Sequence, residues 1–237
     1  MATILMRLVG PMQSWGTTPD RKVFRGTDSH PSKSGVIGMI CSAMGADRSD
    51  DALVASLALL RFGTRVDREG SIMTDFQVAG VPLTAAQATI GSFDTIWGTI
   101  DVSRERLQSR TASGRLTEQN SVTRRQYLTG AIFLAGLEGD PDVLGACAAA
   151  LRDPARPLFL GRKCCPPTQP PLIGIYQNGL EEALSSHPPM VARRGAISVR
   201  LIIESDRGLA VRDVPHSFAS REMGTRFVRE EFITIGG

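Results

Sequence analysis

Thr3–Val9 (TILMRLV) is β-prone, and Gly10–Pro11 closes it, which predicts a first strand followed by a loop over Met12–Gly16. Pro19–Pro31 is polar and reads as an exposed loop. From Ser34 to Ala46 the apolar residues fall at helical spacing, with Ser32 or Ser34 available as a cap, and Asp50–Leu60 gives a second helix capped by Ser49 or Asp50. Leu60–Val66 and Ile72–Val81 read as strands. Thr84–Thr123 has no core-forming pattern and reads as a long protruding hairpin or loop, the kind of excursion that is usually functional or disordered. Gln126–Leu137 returns to strand character. Asp140 then caps a helix to Leu151, with Pro141 in its first turn. A Pro-dense junction spans Pro154–Pro171. A short helix at Leu180–Ser185 and strands at Ala196–Glu204 and Phe227–Ile235 complete the chain.

Strand, helix, strand, strand, excursion, strand, helix is the order of a ferredoxin-like α+β unit with an insertion. The expected division is a first domain at 1–160, carrying a thumb insertion at about 84–123, and a smaller β-rich region at 161–237.

The length of 237 residues allows a real core, and a net charge of +3 permits nucleic-acid binding without requiring it. Cys41, Cys147, Cys164 and Cys165 form no CxxC pair, which argues against a secreted disulfide scaffold and a zinc site. The opening residues lack a signal-peptide pattern and no apolar run could span a bilayer, so a cytoplasmic address is expected. There is no phosphate-binding GxxxxGK loop, no GxSxG elbow and no HExxH. His30, His187 and His216 are scattered, and no cofactor is expected.

Positive charge is concentrated in three places. Arg104, Arg106, Arg110, Arg115, Arg124 and Arg125 lie in or beside the excursion, opposed between 104 and 125 only by Glu105 and Glu118. Such a finger can grip a phosphate backbone or stack guanidinium planes on bases; the alternative is a solubilising loop. Lys33, Ser34 and Gly35 open a helix whose free N–H groups favour an anion, although simple capping explains them equally. Gly161–Arg162–Lys163 suits a phosphate contact, the glycine allowing close backbone approach, or else is a basic turn. Trp15, with Ser14, sits in a Gly-bounded loop, either as an interface ring or as a core filler. On the return strand Arg125 and Tyr127 share one face, while Arg124 and Leu128 take the other; Arg125 suits a base contact or else a phosphate contact, and Tyr127 suits stacking or else is a half-buried sheet tyrosine.

The ordered set GPMQSWG (10–16), PSKSGVIG (31–38), Tyr127–Leu128, LGRKCCP (160–166) and FASRE (218–222) resembles the Cas5 family of RAMP proteins from type I-E CRISPR Cascade. Arginine is also familiar at the position of Lys33, which keeps the charge and loses the planar fork. The resemblance implies a ferredoxin-like, RRM-related domain with a β-hairpin thumb and a smaller C-terminal β-rich region. It implies a non-catalytic subunit that holds the 5′ handle of crRNA at one end of the backbone. Partners would be the CasC backbone subunit, the CasA large subunit and the other Cascade subunits, with target DNA reached indirectly and no membrane. The implied RNA contacts cover Ser14, Trp15, Lys33, Ser34, Gly35, the six arginines of the excursion and its return, Tyr127, and Gly161–Lys163. Because a related branch cuts RNA, a metal-independent endoribonuclease recruiting Tyr127, His30 and Lys163 is the rival reading; a structural adaptor without RNA contact is a third.

Overall fold

The computed structural model describes residues 1–16, 24–79, 92–95, 98–101, 109–110, 116–117, 121–191 and 195–236, with side chains for 1–16, 24–77, 123–191 and 195–236. Along the chain come β1 (Ala2–Val9), β2 (Met12–Gln13), β3 (Phe24–Arg25), α1 (Lys33–Ala43), α2 (Asp51–Ala58), β4 (Arg61–Arg68) and β5 (Ser71–Ala79). Four short strands follow: β6 (Ser92–Thr95), β7 (Gly98–Asp101), β8 (Ser109–Arg110) and β9 (Leu116–Thr117). Then come β10 (Ser121–Thr129), β11 (Ile132–Gly139), α3 (Pro141–Arg152), β12 (Leu172–Tyr176), α4 (Leu180–Ser186), β13 (Ile197–Ser205), β14 (Leu209–Ser217) and β15 (Glu222–Ile235).

This mixed α+β chain divides into two compact units. The first comprises Met1–Pro19, Gly26–Met73 and Gln126–Gly237. It is built on a seven-stranded antiparallel sheet in the order β12-β1-β11-β4-β13-β15-β14. The second comprises Asp20–Arg25 and Thr74–Arg125, where β10 pairs with β3 in parallel, β6 with β7 and β8 with β9. The division expected at 160/161 runs through the large sheet, because β12 pairs with β1 and β13 with β4. Most of the expected thumb, 84–123, lies outside the described residues.

The large sheet is covered on both faces, which is why β1 carries apolar residues on both sides of the strand. Ile4, Met6 and Leu8 join Phe62 and Phe133 beneath α1, α2 and α3, which contribute Ile37, Ile40, Leu57 and Leu144. Leu5, Leu134, Leu201 and Ile203 meet Leu180 and Leu184 of α4 on the other face. Helices α1, α2 and α3 begin where capping chemistry puts them. Ser32 Oγ accepts the N–H of Gly35, Asp50 that of Leu53, and Asp140 those of Asp142 and Val143.

Some elements differ from expectation. The single strand expected at Gln126–Leu137 is two, β10 and β11, separated by Gly130 at φ 70°. Met12–Gln13, expected as loop, pairs with Leu128 and Thr129. Strands β12 and β14 were not expected. The first is a five-residue edge strand behind the Pro-dense junction, and the second, LAVRDVPHS, breaks apolar alternation with Arg212, Asp213 and Pro215, as an edge strand can.

A buried ionic network ties α1 to the C-terminal strands. The Lys33 backbone N–H donates to Asp213 Oδ2 at 2.7 Å, and its ammonium donates to Glu204 at 3.0 and 3.2 Å. Arg226 donates to both oxygens of Asp213 at 2.6 and 2.9 Å, and its guanidinium lies 5.1 Å from the Phe62 ring centroid. Glu204 also accepts the Phe62 N–H at 3.1 Å. Burial lowers the Lys33 pKa, and the charge and hydrogen bond of Glu204 oppose that shift. Removing one partner of such a pair strands a buried charge. Glu204→Gln keeps the shape and loses the charge, so its midpoint in urea denaturation should correspond to a loss of about 2–3 kcal/mol; an unchanged midpoint would show that the charge is dispensable.

His30 stands beside this network. Burial lowers its pKa, Asp28 raises it, Arg200 and Arg226 lower it and Asp213 raises it. A histidine that protonates more readily when unfolded contributes no penalty above about pH 6.5 and destabilises the fold as pH falls below it. Stability measured from neutral pH down to about pH 5.5 should therefore decline, and His30→Gln should remove part of that decline.

Candidate nucleic-acid interface

The segment after β1 is locked by Gln13. This fully buried amide donates to the carbonyls of Leu8 and Ala131, each at 3.0 Å, and its oxygen accepts the Trp15 indole N–H at 3.1 Å. Trp15 is itself fully buried, its backbone N–H donating to Thr27 Oγ1 at 2.8 Å. Its ring lies against Gly35 of α1, where a Cβ would sit 2.8 Å from Cε3. The tryptophan is thus a core filler that also fixes α1, and the interface-ring alternative is not what the structure shows.

Ser14 and Gly161 form the second joint. The Ser14 N–H donates to the Leu160 carbonyl at 3.0 Å. Gly161 has φ 90°, and a Cβ there would come within 1.8 Å of the Ser14 carbonyl oxygen. Two further backbone bonds, Leu160 N–H to Cys165 at 2.7 Å and Cys165 N–H to Arg162 at 2.9 Å, fold 160–165 into a tight loop. GPMQSWG and LGRKCCP, far apart in sequence, are therefore one piece of structure.

The loop directs Arg162 towards β10. Its guanidinium donates to the carbonyls of Gln126 at 3.0 Å and Gly26 at 3.4 Å, and lies 4.9 Å from the Tyr127 ring centroid. This is cation–π geometry. Tyr127 is only 3% exposed, and its hydroxyl accepts a hydrogen bond from Cys164 Sγ at 3.5 Å. Burial, followed by the Cys164 contact, raises the phenol's pKa. Of the two readings of Tyr127, the open ring for stacking is not what the structure shows, because Arg162 lies over that ring and protein buries it.

Lys33, expected as the cation of an anion site, is 1% exposed and ion-paired with Glu204, so the charge serves the fold. Ser34 and Gly35 lie half-buried on α1, with Ser34 Oγ 3.4 Å from Ser32 Oγ. Lys163 is exposed and faces a cleft along α1, away from the Arg162–Tyr127 contact.

In the second unit, Arg124 is exposed with its guanidinium 5.8 Å from the Phe76 ring centroid. Arg125 is half-buried and in register with Arg25 of β3; its Nε is buried and makes no hydrogen bond among the described residues. Arg104, Arg106 and Arg115 lie outside the described residues, as does the side chain of Arg110. Among the described residues no group of three or more His, Cys, Asp or Glu side chains is gathered that could hold a metal ion.

Sequence reasoning passed over Gln13, whose amide holds the loop, and Arg48, Arg156 and Arg221, which line the cleft. FASRE marked Arg221; nothing in the local pattern marked Arg48 or Arg156.

A mixed α+β sheet protein with a basic loop welded to its first strand is the class that the fold and site define, and the chain belongs to the CRISPR-associated protein Cas5 family, which it matches over residues 3–229. It is 27% identical over 227 residues to the CRISPR system Cascade subunit CasD of Escherichia coli (strain K12), covering 92% of this chain and 93% of that one. Among solved structures it is similar to a chain titled as the crystal structure of a Cas protein, at TM-score 0.70 and 33% identity over 97% of this chain and 94% of the other. It is also similar to a chain of a CRISPR RNA-guided surveillance complex, at TM-score 0.75 and 29% identity over 98% and 90%.

Gly161→Ala would force a left-handed alanine against backbone. We expect it to destabilise the protein by about 2–4 kcal/mol, read as a lowered denaturation midpoint; an unchanged midpoint would show that the joint can open without cost.

Proposed function

We propose that this chain is a subunit of a CRISPR RNA-guided surveillance complex of the Cascade type, that it binds the 5′ handle of crRNA, and that it caps the backbone beside CasC and CasA. The observation that carries this reading is the end-to-end likeness to a chain of a solved CRISPR RNA-guided surveillance complex, at TM-score 0.75. The strand order β12-β1-β11-β4, with helices between β1 and β4 and between β11 and β12, supports a ferredoxin-like reading of this half of the sheet.

Arg125 is the residue we assign to handle recognition. An orphaned buried donor in a native structure calls for an acceptor, and an RNA base or phosphate supplies one. Arg124 is exposed for a phosphate, and the arginines of the excursion are proposed to do the same. The chain acts by binding. The groups that a metal-independent nuclease would recruit are not gathered among the described contacts. Tyr127 touches Arg162 and Cys164, His30 touches Ser29 and Asp28, and Lys163 faces the cleft.

The test is binding of Arg125→Ala and Arg125→Lys to the handle RNA and to a scrambled handle, across a salt series. Affinity of the unsubstituted chain should fall steeply with salt. Alanine should cost about 1–3 kcal/mol and erase the preference for the handle, and lysine should not restore it. Equal losses on both RNAs, fully rescued by lysine, would reduce the role to charge. Cleavage of either RNA would favour the nuclease.

A further inference from the structure

A cleft of about 600 Å³ runs along the outer face of α1, within the first unit. This is within the roughly 300–1,000 Å³ typical of sites that enclose a ligand. Its walls bring together three of the family motifs: Ser34 and Gly38 from PSKSGVIG, Gly161 and Lys163 from LGRKCCP, and Phe218 and Arg221 from FASRE. The floor is apolar, made by Met39, Cys41, Phe159 and Phe218.

The rim is cationic. Arg48 follows α1, Lys163 belongs to the tight loop, and Arg221 closes the β14–β15 hairpin. All three are exposed, and none has an ion pair or hydrogen bond among the described residues. Arg221 is held at φ 60°, a left-handed backbone uncommon outside glycine, asparagine and aspartate. Among the described residues Asp47 is the one carboxylate that lines the cleft, and it is engaged by Arg156, which also bonds the carbonyls of Gly45 and Ala46. The cleft therefore presents uncompensated positive charge above an apolar floor.

We propose that this cleft is a docking site for an acidic amphipathic segment of a protein partner. Apolar side chains of that segment would fill the floor, and its carboxylates would meet Arg48, Lys163 and Arg221. RNA fits less well. Single-stranded nucleic acid is held by a basic track with open aromatic faces, whereas the end of the Phe218 ring points at Gly38, its Cζ 3.5 Å from where a Cβ would sit, and the residue packs on the core. No tyrosine or tryptophan among the described residues lines the cleft. The proposal rests on the reading of this chain as one subunit of a larger complex, but not on Arg124, Arg125 or the arginines of the excursion; Ser34, Gly35, Gly161 and Lys163, which the family resemblance implied as RNA contacts, are here assigned to the protein partner.

The experiment uses the full chain and a fluorescein-labelled synthetic peptide with Glu and Asp on one helical face and Leu and Phe on the other, read by anisotropy. A labelled oligouridylate is run in parallel. The variants are R48E/K163E/R221E, which reverses the rim, and S42W, which fills the cleft without changing charge. Each is first checked for an unchanged melting temperature, and R48E and R221E singly replace the triple variant should it not fold. The peptide should bind the unsubstituted chain and weaken at least about tenfold in both kinds of variant, while S42W leaves oligouridylate binding as it was. No peptide binding, or peptide binding untouched by S42W, would overturn the proposal. Oligouridylate binding lost in S42W would overturn it too, and would assign the cleft to RNA. Loss of handle recognition in Arg125→Ala bears on the RNA reading alone and leaves this outcome independent.

Discussion

The approach of the Ser14 carbonyl to Gly161 is the constraint on which the functional surface depends. With room for no Cβ and a backbone at φ 90°, residue 161 fixes loop 160–165 directly against the segment that follows β1. Backbone-to-backbone contact leaves little play, because neither side can swing away as a side chain can. Gln13 and Trp15 carry the same rigidity from β1 and the residue before β11 to α1. Arg162 can therefore be aimed at Tyr127 and the Gln126 carbonyl at the cost of little further ordering.

A second anchor, the network of Lys33, Glu204, Asp213 and Arg226, works differently. Burying charge rarely adds stability over an apolar replacement, but a paired network tolerates only the arrangement that satisfies it. Here the arrangement joins the first turn of α1 to β13, β14 and β15, elements some 170 to 190 residues further along the chain. One wall of the cleft is α1 and another is the β14–β15 hairpin, and the bond from Lys33 to Asp213 ties α1 to β14. A lysine that looked like a ligand-binding cation is a register pin.

The capped helices and the strands β1, β4 and β13 were legible from local pattern, and Ser32, Asp50 and Asp140 cap as their positions indicate. What escaped was tertiary. Lys33 and Tyr127 read as surface groups because lysine usually is exposed and because alternation on a strand says which residues share a face, not which face is covered. Their burial is decided by Glu204 and Arg162, which sequence distance hides. β14 escaped because an edge strand needs only one good partner, and β15 supplies it through two register shifts that accommodate its charged and proline residues.

Consecutive residues of one motif end in different surroundings. Arg162 turns to the aromatic ring and carbonyls beside β10, whereas Lys163 turns to the cleft on α1. A tight loop that places adjacent cations this way cannot shift one without moving the other, since Gly161 allows no slack and the Leu160–Cys165 bond closes the turn. On the proposed readings, Arg162 stiffens the strand that continues into Arg125, while Lys163 belongs to the rim that meets a partner protein. The strand that leads to the RNA contact and the rim of the protein contact would then be braced by the same six-residue loop. That sharing gives occupancy of one site a physical route to bias the other, provided that the loop has two arrangements which the two ligands favour differently.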